Sequence, residues 1–380
     1  MLPFLVTFFL LYGSMHLYVF LKAKAAFTFS MATSIFVALF MLIMISAPII
    51  VRFSEKAGYE FFARLMSYTG YTWMGILFLF TCLSMVLDFY RFILYSGELI
   101  LKKDFSFITI PNKYAFFVSL SLALLIAVYG YFEAKNIRTE TLTVKTPKIP
   151  AGIGRLRIVQ ISDIHLGLIV REERLRRILS EVKKADPDIL VSTGDLVDGQ
   201  IDNLEKLAEP FQKINPRYGK FAITGNHEFY AGLDQALSFA EKSGFRILRG
   251  EAVTAAGLVN IAGVDDPQGR SYGLFRGRSE KELLSELPHE RFTVLLKHRP
   301  LVDRNVLGFF DLQLSGHVHR GQIFPFSIIT GLYYPTQAGF ANLAGNSKLY
   351  VSRGSGTWGP PIRFLSPPEV TVIELVHENI

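Results

Sequence analysis

The chain has 380 residues, of which 50% are hydrophobic and only 19% charged, a balance that excludes a disordered, collagen-like or acidic low-complexity protein and is too apolar for one ordinary soluble enzyme. At roughly 100 to 200 residues per domain the length suggests two or three structural units. The single cysteine, Cys82, excludes an intramolecular disulfide and every Cys-rich zinc framework, so a metal site would have to be built from His, Asp, Glu and Asn; the net charge of +7 speaks only to non-specific attraction.

Composition divides the chain near residue 140. All eight methionines and the cysteine precede Asp88, whereas seven of the eight histidines follow Thr143. Residues 1–140 read as an all-α membrane domain with four apolar runs, Leu2 to Leu21, Ala26 to Val51, Tyr71 to about Leu87 and Tyr114 to Phe132. Each is close to the roughly 20 residues a helix needs to cross a hydrocarbon core. No Lys or Arg precedes the first run and a second follows at once, so it reads as a retained span rather than an export signal. His16 reads as a hydrogen-bonded packing residue, and Asp88 and Arg91, three residues apart, as a local ion pair. Four spans put both termini on one side. Lys/Arg counts of seven against six across the flanking loops do not say which side, so the orientation rests on indirect grounds.

Residues 141–155, with Pro147, Pro150, Gly152 and Gly154, read as a linker, and residues 156–380 as a soluble domain. Short apolar runs predict strands at Leu156 to Ile161, Ile189 to Ser192, Lys220 to Thr224, Val259 to Gly263, Phe292 to Leu296, Asp311 to Leu314, Leu349 to Ser352 and Val370 to Leu375. Leu175, Ile178, Leu179 and Val182 recur at helical spacing within Arg171 to Lys184, and Leu204, Leu207 and Phe211 repeat the pattern.

Nearly every predicted strand runs into a compact polar group. Asp163 and His165 follow one, Asp195 and Asp198 the next, Asn226 and His227 the third, and His298, His317 and His319 the later ones. Any one group has a plain reading as turn chemistry. Together they place five of the eight histidines and three aspartates at equivalent strand ends, where ligands of open α/β sheets bind. Carboxylate, imidazole and amide oxygen without thiolate suit Mn, Fe, Zn, Co or Ni. The donors exceed one ion's needs, and a two-ion clamp is the device of phosphoester hydrolysis.

In their order, Asp163-x-His165, Gly194-Asp195-x-x-Asp198, Gly225-Asn226-His227-Glu228, His298 and Gly316-His317-x-His319 resemble the calcineurin-like metallophosphoesterase superfamily, over about residues 155–378. The tail from Ser352 to Phe364, with Pro367-Pro368-Glu369, is similar to its membrane-associated bacterial branch, YkuE-like and YaeI-like. The resemblance implies an α/β/β/α sandwich behind the transmembrane helices. It also implies two divalent ions, Mn, Fe or Zn, one held by Asp163, His165 and His319 and the other by Asn226, His298 and His317, with Asp195 bridging. His227 would then face the leaving oxygen as a proton or hydrogen-bond donor, with Asp198 orienting it. Arg299, Arg320, Asp265 and Asp266 are left outside the catalytic core, as salt bridges or pocket rim.

The function read from this is a membrane-bound phosphoesterase. Its tether suggests a substrate at the bilayer surface, such as a phospholipid, a lipid-linked pyrophosphate or a UDP-acyl-sugar precursor of lipid A. A soluble phosphoester is the alternative, and a membrane sensor or transporter with a non-catalytic domain is the alternative of another class. No basic and aromatic run marks a strand-tracking groove, which disfavours a nucleic-acid partner. Oligomeric state has no signal. Retention of the first span, and the supply of Mn and nucleotide-activated lipids inside cells, lean toward a cytoplasmic catalytic domain on the inner membrane.

Overall fold

The computed structural model describes residues 2–199 and 205–378. The chain divides into two compact units, Met1–Tyr131 with Gly359–Ile362, and Phe132–Trp358 with Arg363–Ile380.

The first unit is built from α1 (Leu2–Ala26), α2 (Met31–Lys56), α3 (Glu60–Leu101) and α4 (Asn112–Glu133). Among the described residues, four helical stretches are long and apolar enough to cross a membrane. Their outward faces carry Leu10, Leu11, Phe36, Leu39, Val86 and Ile100 exposed, which water would penalise and lipid would not. Small residues let the backbones approach: a Cβ on Gly70 of α3 would stand 2.5 Å from Ala47 Cβ of α2. His16 is buried, with Nδ1 bonded to the Tyr12 carbonyl at 2.8 Å and Nε2 accepting from Trp73 Nε1 at 2.9 Å, in keeping with a packing role.

Two expectations change here. The third apolar run is the middle of a 42-residue helix, about 60 Å long at 1.5 Å per residue, roughly twice the hydrocarbon thickness. Asp88 does not take Arg91 as its hydrogen-bonded partner: it accepts from Tyr18 Oη at 2.6 Å and pairs with Lys22, both on α1, while Arg91 donates to the Ile110 carbonyl.

The second unit runs β1 (Arg138–Thr146), β2 (Arg155–Ile161), α5 (Glu172–Ala185), β3 (Ile189–Ser192), α6 (Ala208–Gln212), β4 (Lys220–Ala222), α7 (Asn226–Ala231), α8 (Leu233–Lys242), β5 (Arg246–Ile247), β6 (Glu251–Ala255), β7 (Val259–Gly263), α9 (Gln268–Ser271), α10 (Glu280–Ser285), β8 (Phe292–Leu296), β9 (Leu312–Ser315), α11 (Phe326–Tyr333), β10 (Gly339–Asn342), β11 (Lys348–Val351) and β12 (Glu369–His377). Two six-stranded sheets form, ordered β1-β12-β2-β3-β4-β5 and β10-β11-β9-β8-β7-β6. Strand alternation sorts the core into layers. Ile158, Ile189, Val191 and Leu375 of the first sheet meet Ile261, Val294, Leu296 and Leu314 of the second. On the far face of the first sheet, Val159, Ile161 and Leu190 pack under Leu175, Ile178, Phe211 and Phe239 from α5, α6 and α8. On the far face of the second, Ala262 and Leu295 pack with Leu283 and Leu284 of α10. The result is a four-layered α/β/β/α sandwich.

The eight predicted strands appear within a few residues of their expected bounds, and β1, β5, β6 and β10 are additional. The linker reading of 141–155 is corrected by β1, which pairs in parallel with β12 from Arg138↔Glu369 to Thr146↔His377. Its Thr-rich, half-exposed edge pattern hides the strand from a hydrophobicity reading. The helical segment around Leu207 and Phe211 is a short turn followed by α6, while Leu204 lies outside the described residues.

Candidate metal centre

The nine candidate residues leave the carboxyl ends of five parallel strands and meet. Asp163 and His165 follow β2, Asp195 and Asp198 follow β3, Asn226 and His227 open α7 after β4, His298 follows β8, and His317 and His319 follow β9. The loops interlock through their backbones. Asp163 N donates to the Gly194 carbonyl and His165 N to the Asp195 carbonyl, both at 3.0 Å, and His317 N donates to the Asp163 carboxylate at 3.0 Å. His227 N donates to Asp195 Oδ1 at 2.8 Å. Asp163, His165, Asp195, His317 and His319 all have left-handed backbones, φ between 50° and 72°. Such conformations carry roughly 1–3 kcal/mol of strain each and collect where a site must hold side chains at fixed angles.

Donor atoms converge in three overlapping groups, Asp163–His165–His319, His165–Asp195–His227 and Asp195–His298–His317. Nε2 of His165 and Nε2 of His319 are 3.1 Å apart, as are Nδ1 of His317 and Nε2 of His298. Asp195 Oδ2 lies 3.2 Å from His298 Nε2 and 3.8 Å from His165 Nε2, and Asn226 Oδ1 lies 3.2 Å from His298 Nε2. Ring nitrogens about 2.0–2.1 Å from a common ion would stand about 3 Å from one another. Asp195 thus belongs to two of the donor groups, and the residues gathered here fit divalent metal ions in both chemistry and spacing.

The calcineurin-like phosphoesterase family model matches residues 156–321. A metallophosphoesterase of Aquifex aeolicus is 42% identical over 67% of this chain and 97% of its own length. The chain belongs to the calcineurin-like metallophosphoesterase family. It is therefore a metal-dependent phosphoester hydrolase. The metallophosphoesterase YkuE of Bacillus subtilis is 33% identical over 66% of this chain and 91% of its own length. A transmembrane protein with metallophosphoesterase domain of Danio rerio is 32% identical over 68% of this chain and 62% of its own length, so relatives occur in bacteria and in eukaryotes. With four apolar helices and relatives of that kind, the chain is a membrane metallophosphoesterase.

The electrostatics of the centre are those of a cation site. Burial would raise Asp163 and Asp195, but His319 beside the first and His298 and His227 beside the second hold both carboxyls below the usual range. Burial opposes charge on His298, yet the Asp195 carboxylate outweighs it and raises that imidazole to about 10. His317 is depressed to about 3 by burial and by the His298 charge. Burial takes His319 down to about 4 in spite of Asp163, and the Arg363 guanidinium behind it adds to the depression. Asp195 thus draws positive charge onto His298 and His227, while burial keeps it off His317 and His319.

His227 donates from Nδ1 to the Asp198 main-chain carbonyl at 2.8 Å and lies 3.1 Å from its Oδ1, which leaves Nε2 for another partner. Burial opposes its protonation, but Asp195 and Asp198 raise it to about 9. Asp198 Oδ1 also lies 3.3 Å from His165 Nδ1, so one carboxylate faces two imidazoles. The four residues left outside the core pair among their neighbours in part: Arg299 forks onto Asp266 at 2.7 and 2.9 Å, and Arg249 forks onto Asp265 at 2.8 and 2.7 Å. Two supporting residues were not anticipated in these roles. Glu228 accepts from the Asp195, Leu196 and Gly225 amides at 3.0, 2.7 and 2.6 Å, clamping two site loops together. Arg363, fully buried, has Nη2 2.9 Å from His319 Nδ1 and donates from Nη1 to the Arg353 carbonyl at 2.6 Å. Glu228 completes a motif visible in the sequence; Arg363 falls in the Ser352 to Phe364 tail singled out there, but its contact with His319, 44 residues earlier, has no local signal.

Proposed function

We propose that this chain is a dinuclear phosphoesterase acting on a phosphoester or pyrophosphate of a lipid at the bilayer surface, with its catalytic domain on the cytoplasmic side of the inner membrane. The observation that supports the dinuclear reading most is the position of Asp195 between two donor sets whose ring nitrogens close to 3.1 Å. Asp163, His165 and His319 would hold one divalent ion, and Asn226, His298 and His317 the other, with Asp195 shared. When bound, the ions neutralise phosphoryl charge and acidify water toward neutral pH. His298 is kept in one tautomer by its Nδ1 contact with the Thr193 carbonyl at 2.8 Å, which turns Nε2 toward Asp195. His227, fixed through Nδ1, keeps Nε2 free to offer a proton or a hydrogen bond to the leaving oxygen. The membrane spans favour a lipid phosphoester or a nucleotide-linked lipid precursor over a freely soluble one.

The test is turnover by the purified full chain, supplied with Mn, on phosphomonoesters, phosphodiesters and lipid pyrophosphates presented in bilayers and in solution. Preference for the bilayer substrate is the expected result, and equal rates on a soluble counterpart would remove the lipid assignment. Asp195→Asn should abolish hydrolysis and lower metal content together, because an amide cannot neutralise two ions. Two ions retained with full turnover would remove the bridging role.

A further inference from the structure

From Gly321 to Ser347 the sequence contains no Asp, Glu, Lys, Arg or His. In a soluble domain so long an uncharged stretch should be interior, yet α11 lies within it and none of its residues is buried. Ile328, Ile329, Leu332 and Tyr333 are 62%, 57%, 86% and 67% exposed, and Phe324 and Phe326 flank them at 40% each. A contiguous patch of this kind marks a contact surface, whereas scattered single hydrophobes do not. The helix is held in place: Tyr334 N donates to the Thr330 carbonyl at 2.8 Å, and Thr330 Oγ1 bonds Gln337. Tyr334 itself is 9% exposed and packs edge-on against His317, ring centroids 5.6 Å apart. The apolar helix therefore ends against a candidate metal ligand.

We propose that α11 is an interfacial helix that lies in the headgroup layer of the bilayer crossed by α1–α4, and that it sets the depth of the metal centre relative to the lipid. Eight residues give a length of about 12 Å, too short to span and suited to lying in the plane. Ile and Leu at the centre with Phe and Tyr at the ends is the composition of a membrane–water boundary. Only four residues separate Glu133, the end of α4, from Arg138, the start of β1, at most about 15 Å of extended chain, so the domain is tethered by a short connection to a candidate span. A second copy is the weaker occupant, since a stable protein interface buries roughly 1,200 Å² or more and α11 is a single short helix. The inference rests on the reading of α1–α4 as spans and not on the reaction.

The full chain, with Cys82→Ser and a single label site at Leu332→Cys, would be labelled with an environment-sensitive fluorophore and placed in nanodiscs of phosphatidylcholine and phosphatidylglycerol carrying headgroup-depth nitroxide lipid. Leu332 is so exposed that the change removes no buried contact. Quenching by the nitroxide lipid of roughly twofold or more, with protection from aqueous iodide, is expected there. A label at Lys184→Cys, where the side chain is 69% exposed on α5, should show the reverse. Adding Ile329→Glu should reduce the lipid quenching at 332. A 332 label open to iodide and blind to the lipid quencher would overturn the proposal, as would one shielded from both, the result a second protein copy would give. No turnover is read, so neither outcome bears on the phosphoesterase reading.

Discussion

His227 and Asp198 separate two ways of losing activity. His227→Gln should retain the metals and slow turnover by roughly 100-fold to 10,000-fold, with good leaving groups suffering less, since loss of a positioned proton donor has that size. Equal slowing of good and poor leaving groups would end the donor assignment. Asp198→Asn should be milder than His227→Gln, because the His227 Nδ1 bond to the Asp198 main-chain carbonyl survives any side-chain change. Its signature is in the pH profile. The Asp198 carboxylate helps raise His227, so its removal lowers the pH at which the donor loses its proton and moves the alkaline limb of the rate profile downward. A limb that does not move would separate Asp198 from the proton. Metal uptake has its own sign: His298, raised to about 10, carries a proton near neutral pH that it must release to become a ligand. Titration calorimetry of metal-free protein with Mn in buffers of different ionisation enthalpy should show proton release. The positions of these residues were legible because each follows an apolar run directly, whereas Arg363 was not, since its contact with His319 depends on how the tail folds back.

Glycines make the loops that carry these residues. A Cβ on Gly225 would come 2.2 Å from Asp195 Oδ1, so the approach of β4's exit to β3's exit requires a residue without a side chain. Gly225→Ala should displace Asp195, lower the metal stoichiometry measured on purified protein, and destabilise the fold by about 1–3 kcal/mol, the usual range for overpacking. The domain boundary makes a second prediction. β1 covers one edge of β12 over nine residue pairs and carries Val144, with Ile149 just after it, both buried in the inter-sheet core. A fragment starting at residue 150 discards both side chains, each worth about 1.5–3 kcal/mol when buried, and bares the β12 edge. Compared with a fragment starting at Phe132, it should melt lower and aggregate in size-exclusion chromatography; identical melting would show β1 to be dispensable. Central strands such as β3 and β8, buried along their whole length, were readable from the sequence. β1 alternates Thr and Glu with apolar residues, and β5 has only two residues, too few for any periodicity. The polar ends of α3 likewise fall outside a hydropathy window, although they continue one unbroken helix.

For the whole molecule, the proposed orientation requires all four candidate spans to cross, which would put the N-terminus and the catalytic domain on one side of the membrane. A reporter fused to the C-terminus that works only in the cytoplasm should be active; activity of a periplasm-dependent reporter would reverse the orientation and exclude cytoplasmic nucleotide-linked lipids as substrates. The order of the first sheet carries a consequence for how the chain is made. β12 ends the described chain, yet it lies between β1 and β2, and among the described residues β1 has no other strand partner. Shortly before it, Ser355 N and Gly356 N donate to the Ser162 and Asp163 carbonyls at 2.8 and 3.0 Å, bracing the loop that bears the first donor residues. During synthesis the apolar helices emerge and can insert long before this closing segment exists. A ribosome paused ahead of Glu369 therefore presents an anchored chain whose first strand is unpaired and whose donor loop lacks one of its braces. Completion of the catalytic domain therefore waits for β12, and a nonsense codon within that strand should leave the apolar helices made but without a working enzyme.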